Sequence, residues 1–182
     1  MSGIFLSIRK PIHPDDVVKI KDFMGTVEEI NLRDTVIKTF QGQMVIIPNK
    51  EVLQSPIENY TLLGKRRIDL NVGISYGDDL EKVKNIALEA VKNIEGLSDD
   101  PTALFYTEFG DSSVNFVLQL WVDIAGQGSF LEVKSSAIMC IKKAFDDNDI
   151  SIPFPIRTLD FGAKGGTPLQ EMQIKVKGID KE

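Results

Sequence analysis

The most informative stretch of the sequence is residues 25–49, GTVEEINLRDTVIKTFQGQMVIIPN. It holds three runs rich in β-branched residues, and short polar joints at 31–34 and 41–43 separate them. Such runs between tight turns are typical of antiparallel strands, so a small antiparallel barrel or a strongly bent sheet is predicted. Together with a similar run just upstream, the predicted strands are 17–20, 25–30, 35–40 and 44–47.

The end of this stretch predicts a change of structure. Pro48 ends the last strand, and Asn49 is expected to cap a short helix through Leu53. Beyond Pro56, the sequence reaches Lys65-Arg66-Arg67, which we interpret as a basic linker. A second structural unit is therefore expected to begin at residue 66.

The second unit opens with a different pattern. Apolar and polar residues alternate from Arg67 to Ile74, which predicts a strand. Asp78 and Glu81 form a capping arrangement for a helix whose apolar residues recur at helical spacing as far as Ile94. Two further strands are predicted at 103–109 and 114–124.

A second helix completes this unit. Ser129 and Glu132 repeat the capping arrangement at its start. Its predicted apolar face consists of Phe130, Val133, Ala137, Ile141, Ala144 and Phe145. The resulting order, β-α-β-β-α, predicts an α+β sandwich of ferredoxin-like type. One more strand is predicted at 156–161, but the sequence offers it no obvious partner within the chain.

The composition excludes several classes of protein. The chain has 182 residues, of which 42% are hydrophobic, so it can build cores of ordinary size. Its 21 basic and 27 acidic residues give a net charge of -6, which disfavours a nonspecific nucleic-acid-binding protein. The single cysteine, Cys140, cannot form an intrachain disulfide, and a reducing cytoplasm fits best. No stretch approaches the roughly 18 to 20 apolar residues that span a bilayer.

The N-terminus carries a short apolar run, residues 3–8, directly before Arg9 and Lys10. Basic residues after an apolar segment hold the cytoplasmic end of a membrane helix at the lipid headgroups. The alternative is a hydrophobic N-terminal strand with charged ends, and the residues alone do not decide between the two. Because the run begins abruptly, we expect it to be the end of a longer apolar segment.

The sequence predicts no catalytic or metal site. The only histidine, His13, has no nucleophile or acid that we can identify nearby, so an exposed structural residue is expected. Cys140 shares a helix face with apolar residues and is expected to be a small core residue. We interpret the glycine-rich residues 162–166 as a linker and the acidic pairs as caps and solvated turns. Those pairs are Asp78-Asp79, Asp99-Asp100 and Asp146-Asp147. We therefore expect neither an enzyme nor a cofactor.

Several short segments, which we call the markers below, stand in a specific order along the chain. They are Gly3–Leu6 running into Lys10-Pro11-Ile12, Asp16-Val17-Val18, Gly25–Ile30, Val45–Asn49, Ile57–Tyr60, Arg66-Arg67, Val72–Tyr76, Ser112–Phe116 and Ile150–Pro155. No one of them is diagnostic, but together they resemble the small-conductance mechanosensitive channel (MscS-type) family. The resemblance spans residues 3 to about 161.

The resemblance implies an α+β fold in five parts. These are 1–11 as the truncated end of a pore-lining helix, 12–65 as a small barrel-like (Sm-like) β domain, 66–155 as a ferredoxin-like α/β domain, 156–161 as a barrel strand and 162–182 as a flexible tail. The end of the pore helix corresponds to Gly3, Ile4, Phe5 and Leu6, and its membrane interface to Arg9 and Lys10. The barrel strand corresponds to Ile156, Arg157, Thr158, Leu159, Asp160 and Phe161, and its backbone would pair with symmetry mates in an intersubunit parallel β barrel.

The resemblance also implies a function. The chain would belong to a homoheptamer that encloses a cytoplasmic vestibule below the inner membrane of a prokaryote. Membrane tension would open the pore, so that ions and small osmolytes leave after hypoosmotic shock. Upstream helices would contact membrane lipid, and no nucleic acid would bind. Lys65, Arg66 and Arg67 are candidates for a positive lining of side portals or for a contact with the membrane-side structure.

Two other functions compete with this one. A small β barrel followed by a ferredoxin-like sandwich is also a combination that binds RNA or small metabolites in soluble proteins. The acidic balance and the lack of an aromatic-basic face count against such a binding module. A hydrolase or transferase is the least supported, because no nucleophile-base pair or metal cluster is apparent.

Overall fold

The computed structural model describes residues 12–124 and 130–157. This part of the chain forms eight strands and three helices. In chain order they are β1 (Val17–Ile20), β2 (Phe23–Ile30), β3 (Asp34–Thr39), β4 (Met44–Pro48), α1 (Asn49–Gln54), β5 (Ile57–Asn59), β6 (Lys65–Ile74), α2 (Leu80–Val91), β7 (Ala103–Phe109), β8 (Val114–Asp123) and α3 (Phe130–Asp147).

The first five strands form one antiparallel sheet in the order β4-β3-β2-β1-β5. A bulge between Val27 and Glu29 bends β2 where it pairs with β3. Alternate residues of the strands point to one side and form a core, as period-two patterns require. The strands contribute Val18, Ile20, Val27, Ile37 and Ile47 to that core, and Ile12 before β1 and Val52 on α1 complete it. The four strands predicted from the sequence are present within one or two residues. Within the described residues the sheet is open, with β4 and β5 at its edges.

Gly25 allows β2 and β3 to approach closely. A Cβ atom at this position would lie 2.2 Å from the carbonyl oxygen of Lys38 on β3. Real Cβ atoms do not come that close to a backbone oxygen, so any side chain here would push the two strands apart. The glycine is therefore required by the packing of the sheet and not by an unusual backbone angle.

Asn49 does not cap helix α1, in contrast to the sequence prediction. Pro48 occupies the N-cap position and makes no side-chain cap hydrogen bond. Asn49 is instead fully buried, and its side chain accepts a hydrogen bond from Thr35 Oγ1 at 2.8 Å and donates one to the Asn31 carbonyl at 2.8 Å. It thus ties the start of α1 to β3 and to the turn before β3, which satisfies polar groups that burial would otherwise leave unpaired.

The second sheet is antiparallel, with the order β6-β8-β7, and both long helices pack on one of its faces. Strand β8 alternates between buried and half-buried residues as far as Val122, and its last residue, Asp123, is exposed. Its buried side meets α2 and α3 in a core that includes Phe116 and Phe145, whose ring centroids are 6.4 Å apart in an edge-to-face arrangement. The predicted fold class, an α+β protein with a small β unit before a ferredoxin-like sandwich, is confirmed.

Two local predictions in this unit are wrong. Lys65-Arg66-Arg67 is not a linker, because β6 begins at Lys65 and pairs with β8 from its first residue. The cap of α2 is Asp79 and not Asp78: the Asp79 carboxylate accepts the backbone N–H groups of Glu81 at 2.9 Å and Lys82 at 3.1 Å. The predicted cap of α3, Ser129, lies outside the described residues.

After α3 the chain crosses the end of the second sheet. Ile150 is buried in the core, and the Ser151 carbonyl accepts the backbone N–H of Ser75 at 2.9 Å. Further along, the Ile156 N–H donates to Ser112 Oγ at 3.1 Å. Residues 151–157 are in no strand or helix of the described chain.

Candidate functional site at the junction of the two sheets

A cluster of hydrogen-bonded polar residues at one edge of the first sheet centres on Asp16. One carboxylate oxygen accepts the His13 N–H and the Asn59 side-chain amide, each at 2.8 Å, and the other accepts the Thr61 hydroxyl at 2.9 Å. Partial burial alone would raise the pKa of Asp16, but these hydrogen bonds together lower it below its ordinary value of 3.8. The ionised carboxylate therefore ties the segment before β1 to the segment after β5.

Arg66 joins the two sheets directly. Its guanidinium carbon lies 4.5 Å from the ring centroid of Tyr60 and 4.0 Å from that of Phe130. Tyr60 follows the last strand of the first sheet, whereas Phe130 begins α3 on the second. A planar guanidinium can stack on aromatic rings in a way that a lysine ammonium cannot. A backbone hydrogen bond of 3.0 Å from the Ile124 N–H to the Gly64 carbonyl supports the same junction.

Lys65 and Arg67 both lie close to Trp121. Their cationic groups are 5.6 Å and 5.9 Å from the indole ring centroid. Each also has a carboxylate partner: Lys65 Nζ is 2.7 Å from both oxygens of Asp100, and Arg67 makes two hydrogen bonds to Asp69 at 2.8 Å and 3.0 Å. The hydrogen bond from Lys65 lowers the pKa of Asp100. Two of the three basic residues are thus paired with acids, which reduces the positive charge of this surface.

Hydrogen-bonded side chains connect two of the markers on the bare face of the second sheet, which is the face opposite the two long helices. Gly73 on β6 lies opposite Asn115 on β8. A Cβ at Gly73 would be 2.9 Å from Ser113 Cβ and Oγ and 3.0 Å from Asn115 Oδ1, so only glycine leaves room for both. Ser113 Oγ donates to Asn115 Oδ1 at 2.7 Å, and the Asn115 amide donates to Glu108 at 3.0 Å. These markers therefore fix the local geometry of β6, β7 and β8.

His13, Cys140 and the acidic pairs are the other residues for which the sequence raised a possible chemical role. His13 is exposed, as predicted. Cys140 is half-buried and does not belong to the core, so its assignment as a core residue is wrong. Of the acidic residues, Asp79 caps a helix, Asp78 accepts the Ser151 N–H at 3.2 Å, and Asp146 pairs with a lysine one turn earlier. In residues 12–124 and 130–157, no group of three or more His, Cys, Asp or Glu side chains could hold a metal ion.

Several predicted site residues lie outside the described residues. They are Gly3, Ile4, Phe5, Leu6, Arg9, Lys10, Thr158, Leu159, Asp160 and Phe161. Of the predicted barrel strand, Ile156 and Arg157 are described and exposed. None of the described helices is both long enough and apolar enough to cross a membrane. The pore-helix, membrane-interface and barrel assignments therefore stay predictions.

The sequence did not predict the side chains that contact Asp16, Lys65 and Arg67. Asp16 and Asn59 stand in two of the markers, but 43 residues separate them and no pattern pairs them. Asp100 was interpreted only as part of a solvated acidic pair, although it accepts two hydrogen bonds from Lys65. Trp121 was not considered, although a single tryptophan within a strand of alternating residues was a usable signal. The observed contacts link the two units through Arg66 and place the ion pairs of Lys65 and Arg67 at their junction.

Comparison with known proteins identifies the family. The family model described as "Mechanosensitive ion channel, beta-domain" matches residues 1–62, and the model described as "Mechanosensitive ion channel MscS, C-terminal" matches residues 68–152. The chain belongs to the MscS family of mechanosensitive channels. The boundary between the two matches coincides with the junction that Arg66 spans.

Individual relatives agree with this family. An MscS family protein of Archaeoglobus fulgidus is 40% identical over 188 residues and covers 100% of this chain. The small-conductance mechanosensitive channel MscMJ of Methanocaldococcus jannaschii is 34% identical over 162 residues and covers 87% of it. A crystal structure of Helicobacter pylori MscS in the closed state matches with a TM-score of 0.80 and 34% identity. It covers 87% of this chain and 62% of the solved one.

The match covers only part of each relative. The chain spans 61% of the Archaeoglobus fulgidus protein and 46% of MscMJ. The described residues correspond to the β domain and the C-terminal domain named by the family models, and we use these two names below.

Proposed function

We propose that this chain forms the cytoplasmic vestibule of a mechanosensitive channel that opens under membrane tension and releases ions and small osmolytes on hypoosmotic shock. The observation that carries the proposal is the match of two consecutive MscS domains, in order, across residues 1–62 and 68–152. The expected location is the cytoplasmic side of the inner membrane of a prokaryote. The vestibule would act as a passive passage and not as an enzyme.

The assembly that we propose is a ring of seven copies. Each sheet has two edge strands within the described residues, and an exposed edge strand readily pairs with a strand of another chain unless charges, prolines, bulges or a covering element prevent it. Edge strand β4 also exposes two large apolar side chains, Met44 at 54% and Ile46 at 66%. Head-to-tail contacts between unlike edges close into a ring when the rotation per subunit divides a full turn.

Lys65 and Arg67 are the residues that we propose for the rim of a side portal. Both are partly exposed and lie at the junction of the β and C-terminal domains, beside Trp121. Their pairing with Asp100 and Asp69 sets the local charge, so the carboxylates are as important to solute preference as the basic residues. Arg66 has a different role in this proposal, because its stacking between two rings holds the domains together.

A chimeric channel tests the proposed function. Residues 12–157 of this chain would replace the matching segment of the Helicobacter pylori channel, in a strain that lacks its own mechanosensitive channels. We expect tension-activated currents in patch recordings and survival of hypoosmotic shock. A chimera that reaches the membrane as an assembled ring but gives neither would contradict the proposal.

Two substitutions at one ion pair test the portal assignment in the same chimera. Asp100→Asn frees the positive charge of Lys65, whereas Lys65→Gln removes it. We expect the reversal potential in asymmetric salt to shift toward greater anion preference in the first variant and toward greater cation preference in the second. Glu89→Gln, on the exposed face of α2, is the control. Unshifted reversal potentials in both variants would exclude Lys65 from the portal rim.

A further inference from the structure

Within the described residues no strand lies on the outer side of β6, and we call this place the vacant position of the second sheet. A complete ferredoxin-like unit has the order β-α-β-β-α-β, and its fourth strand lies beside the first. The described residues supply three strands in the order β6-β8-β7, so β6 is an edge along all ten of its residues. The position next to β6 is the one that a fourth strand would occupy.

Two prolines explain why the chain does not continue directly into a fourth strand. After α3 the chain passes the C-terminal end of β6, where the Ser75 N–H bonds to the Ser151 carbonyl at 2.9 Å. Pro153 and Pro155 follow, and proline has no N–H to donate to a ladder. The chain then reaches Ser112, at the turn between β7 and β8, without pairing with β6.

The vacant position is an apolar groove. A cavity of about 340 Å³ lies between β6 and α3, and its apolar lining includes Leu70, Val72, Ile138, Ile141 and Ile152. Ile138 on α3 is 48% exposed and Ile152 is 42% exposed, although both border the buried core. An added strand with apolar residues on one face would cover them, as the existing strands cover the rest of α3.

The C-terminal sequence contains a segment with the required pattern. Residues 172–177 read Met-Gln-Ile-Lys-Val-Lys, in which apolar and polar residues alternate without proline or glycine. Residues 165–168, Gly-Gly-Thr-Pro, stand before this segment and Gly178 follows it, so turn-forming residues bound it on both sides. It has the length of an ordinary strand.

We propose that residues 172–177 pair with β6 of the same chain as a fourth, antiparallel strand. Met172, Ile174 and Val176 then face α3 and fill the groove, while Gln173, Lys175 and Lys177 lie on the bare face of the sheet with Asn71. The lysines on that face add positive charge near Asp69, which carries a carboxylate on the same side of β6. The strand also removes the longest free edge of the domain.

The chain is long enough for this arrangement. Residues 162–171 alone span up to about 33 Å at about 3.3 Å per residue, which is close to the length of β6 itself. A barrel strand at 156–161 therefore leaves enough chain to return to the β6 edge. The proposal is independent of the channel function, since it concerns packing within one chain.

Hydrogen exchange in the 182-residue chain tests the pairing. About five of the ten amides of β6 point toward the vacant position, and pairing protects them. We expect Ile174→Ser combined with Val176→Ser to increase their exchange rates at least about tenfold. The control is Gln173→Ser with Lys175→Ser, which alters the opposite face of the same segment and should leave the exchange near that of the wild type. Equal exchange in all three proteins would overturn the proposal.

Cysteine pairs provide a second measurement that does not depend on stability. In a Cys140→Ser background, Asn71→Cys is combined in turn with Gln173→Cys, Lys175→Cys or Lys177→Cys. We expect one pairing to form an intramolecular disulfide on mild oxidation, seen as a faster monomer band on a non-reducing denaturing gel. Crosslinks only between chains would overturn the assignment to the same chain, and no crosslink in any pairing would overturn the docking itself. Native mass, measured separately, reports on the ring and not on this contact.

Discussion

At two positions in the chain only glycine fits, because a Cβ atom would collide with its neighbours. Gly25 lies where a Cβ would collide with a backbone oxygen, and Gly73 leaves the space that Ser113 and Asn115 occupy. Asn49 is comparable, because its buried amide must both accept and donate to satisfy its surroundings. Each of these residues belongs to one of the markers, and packing explains its presence without any catalytic role.

Asp16 makes stability depend on pH. Its pKa is lower in the folded protein than the ordinary value of 3.8, so the folded state favours the ionised carboxylate. The resulting stabilisation is fully present at neutral pH and is lost as the pH falls below about 4 toward the folded pKa. We expect Asp16→Asn to unfold at lower urea concentration at pH 7 and to show a smaller further loss between pH 5 and about pH 3.

Two other carboxylates, Asp22 and Asp100, matter for this prediction. Asp22→Asn, on the exposed turn between β1 and β2, removes a carboxylate outside this hydrogen-bonded cluster and should unfold close to the wild-type urea concentration at pH 7. Asp100 also has a lowered pKa, so part of the acid dependence should persist in the Asp16 variant. An Asp16→Asn profile parallel to that of the wild type at every pH would contradict the role assigned to this carboxylate.

Among the secondary-structure elements, the strands were easier to predict from the sequence than the residues at which helices and strands begin. Period-two alternation is strong in β8 and in β6, so both appear in the sequence within one or two residues of their observed ends. The cap of α2 was misassigned because two aspartates are adjacent and only the backbone geometry decides which of them reaches the first turn. The basic residues at 65–67 resembled a linker because their pairing partners, on β8 and in the loop before β7, are distant in sequence.

The assignment of Asp79, and not Asp78, as the N-cap of α2 can be tested directly. Asp79 accepts two backbone N–H groups of the first turn, whereas Asp78 bonds to Ser151 instead. We expect Asp79→Ala to lower the free energy of unfolding by about 1 kcal/mol, and Asp78→Ala by less than about 0.5 kcal/mol. Urea denaturation followed by circular dichroism measures both. Asp79→Asn keeps an acceptor oxygen and should stay close to the wild type; a larger loss from Asp78→Ala would reverse the assignment.

For the whole molecule, the contacts between the two domains were not predictable from the sequence. Their separate cores were predictable from apolar periodicity, because each is built from residues near one another in the chain. The contact that Arg66 makes with Tyr60 and Phe130 brings together residues 6 and 64 positions away, which no local pattern encodes. The side chain of Arg66 therefore contributes contacts between the two domains that only the folded chain reveals.

The proposed ring predicts the mass of the particle that the chain forms. Seven chains of 20.3 kDa give a particle of about 142 kDa, which native mass spectrometry separates readily from a monomer. If edge strand β4 contributes to the contact, Met44→Lys with Ile46→Lys should shift the mass to that of single chains, because a buried unpaired ammonium is costly. Gln41→Lys with Gln43→Lys adds the same charge in the adjoining turn and should leave the ring intact. A wild-type chain that is monomeric at every concentration would show that residues 1–182 do not form the ring by themselves, whereas an intact ring in the β4 variant would place the contact on other edges.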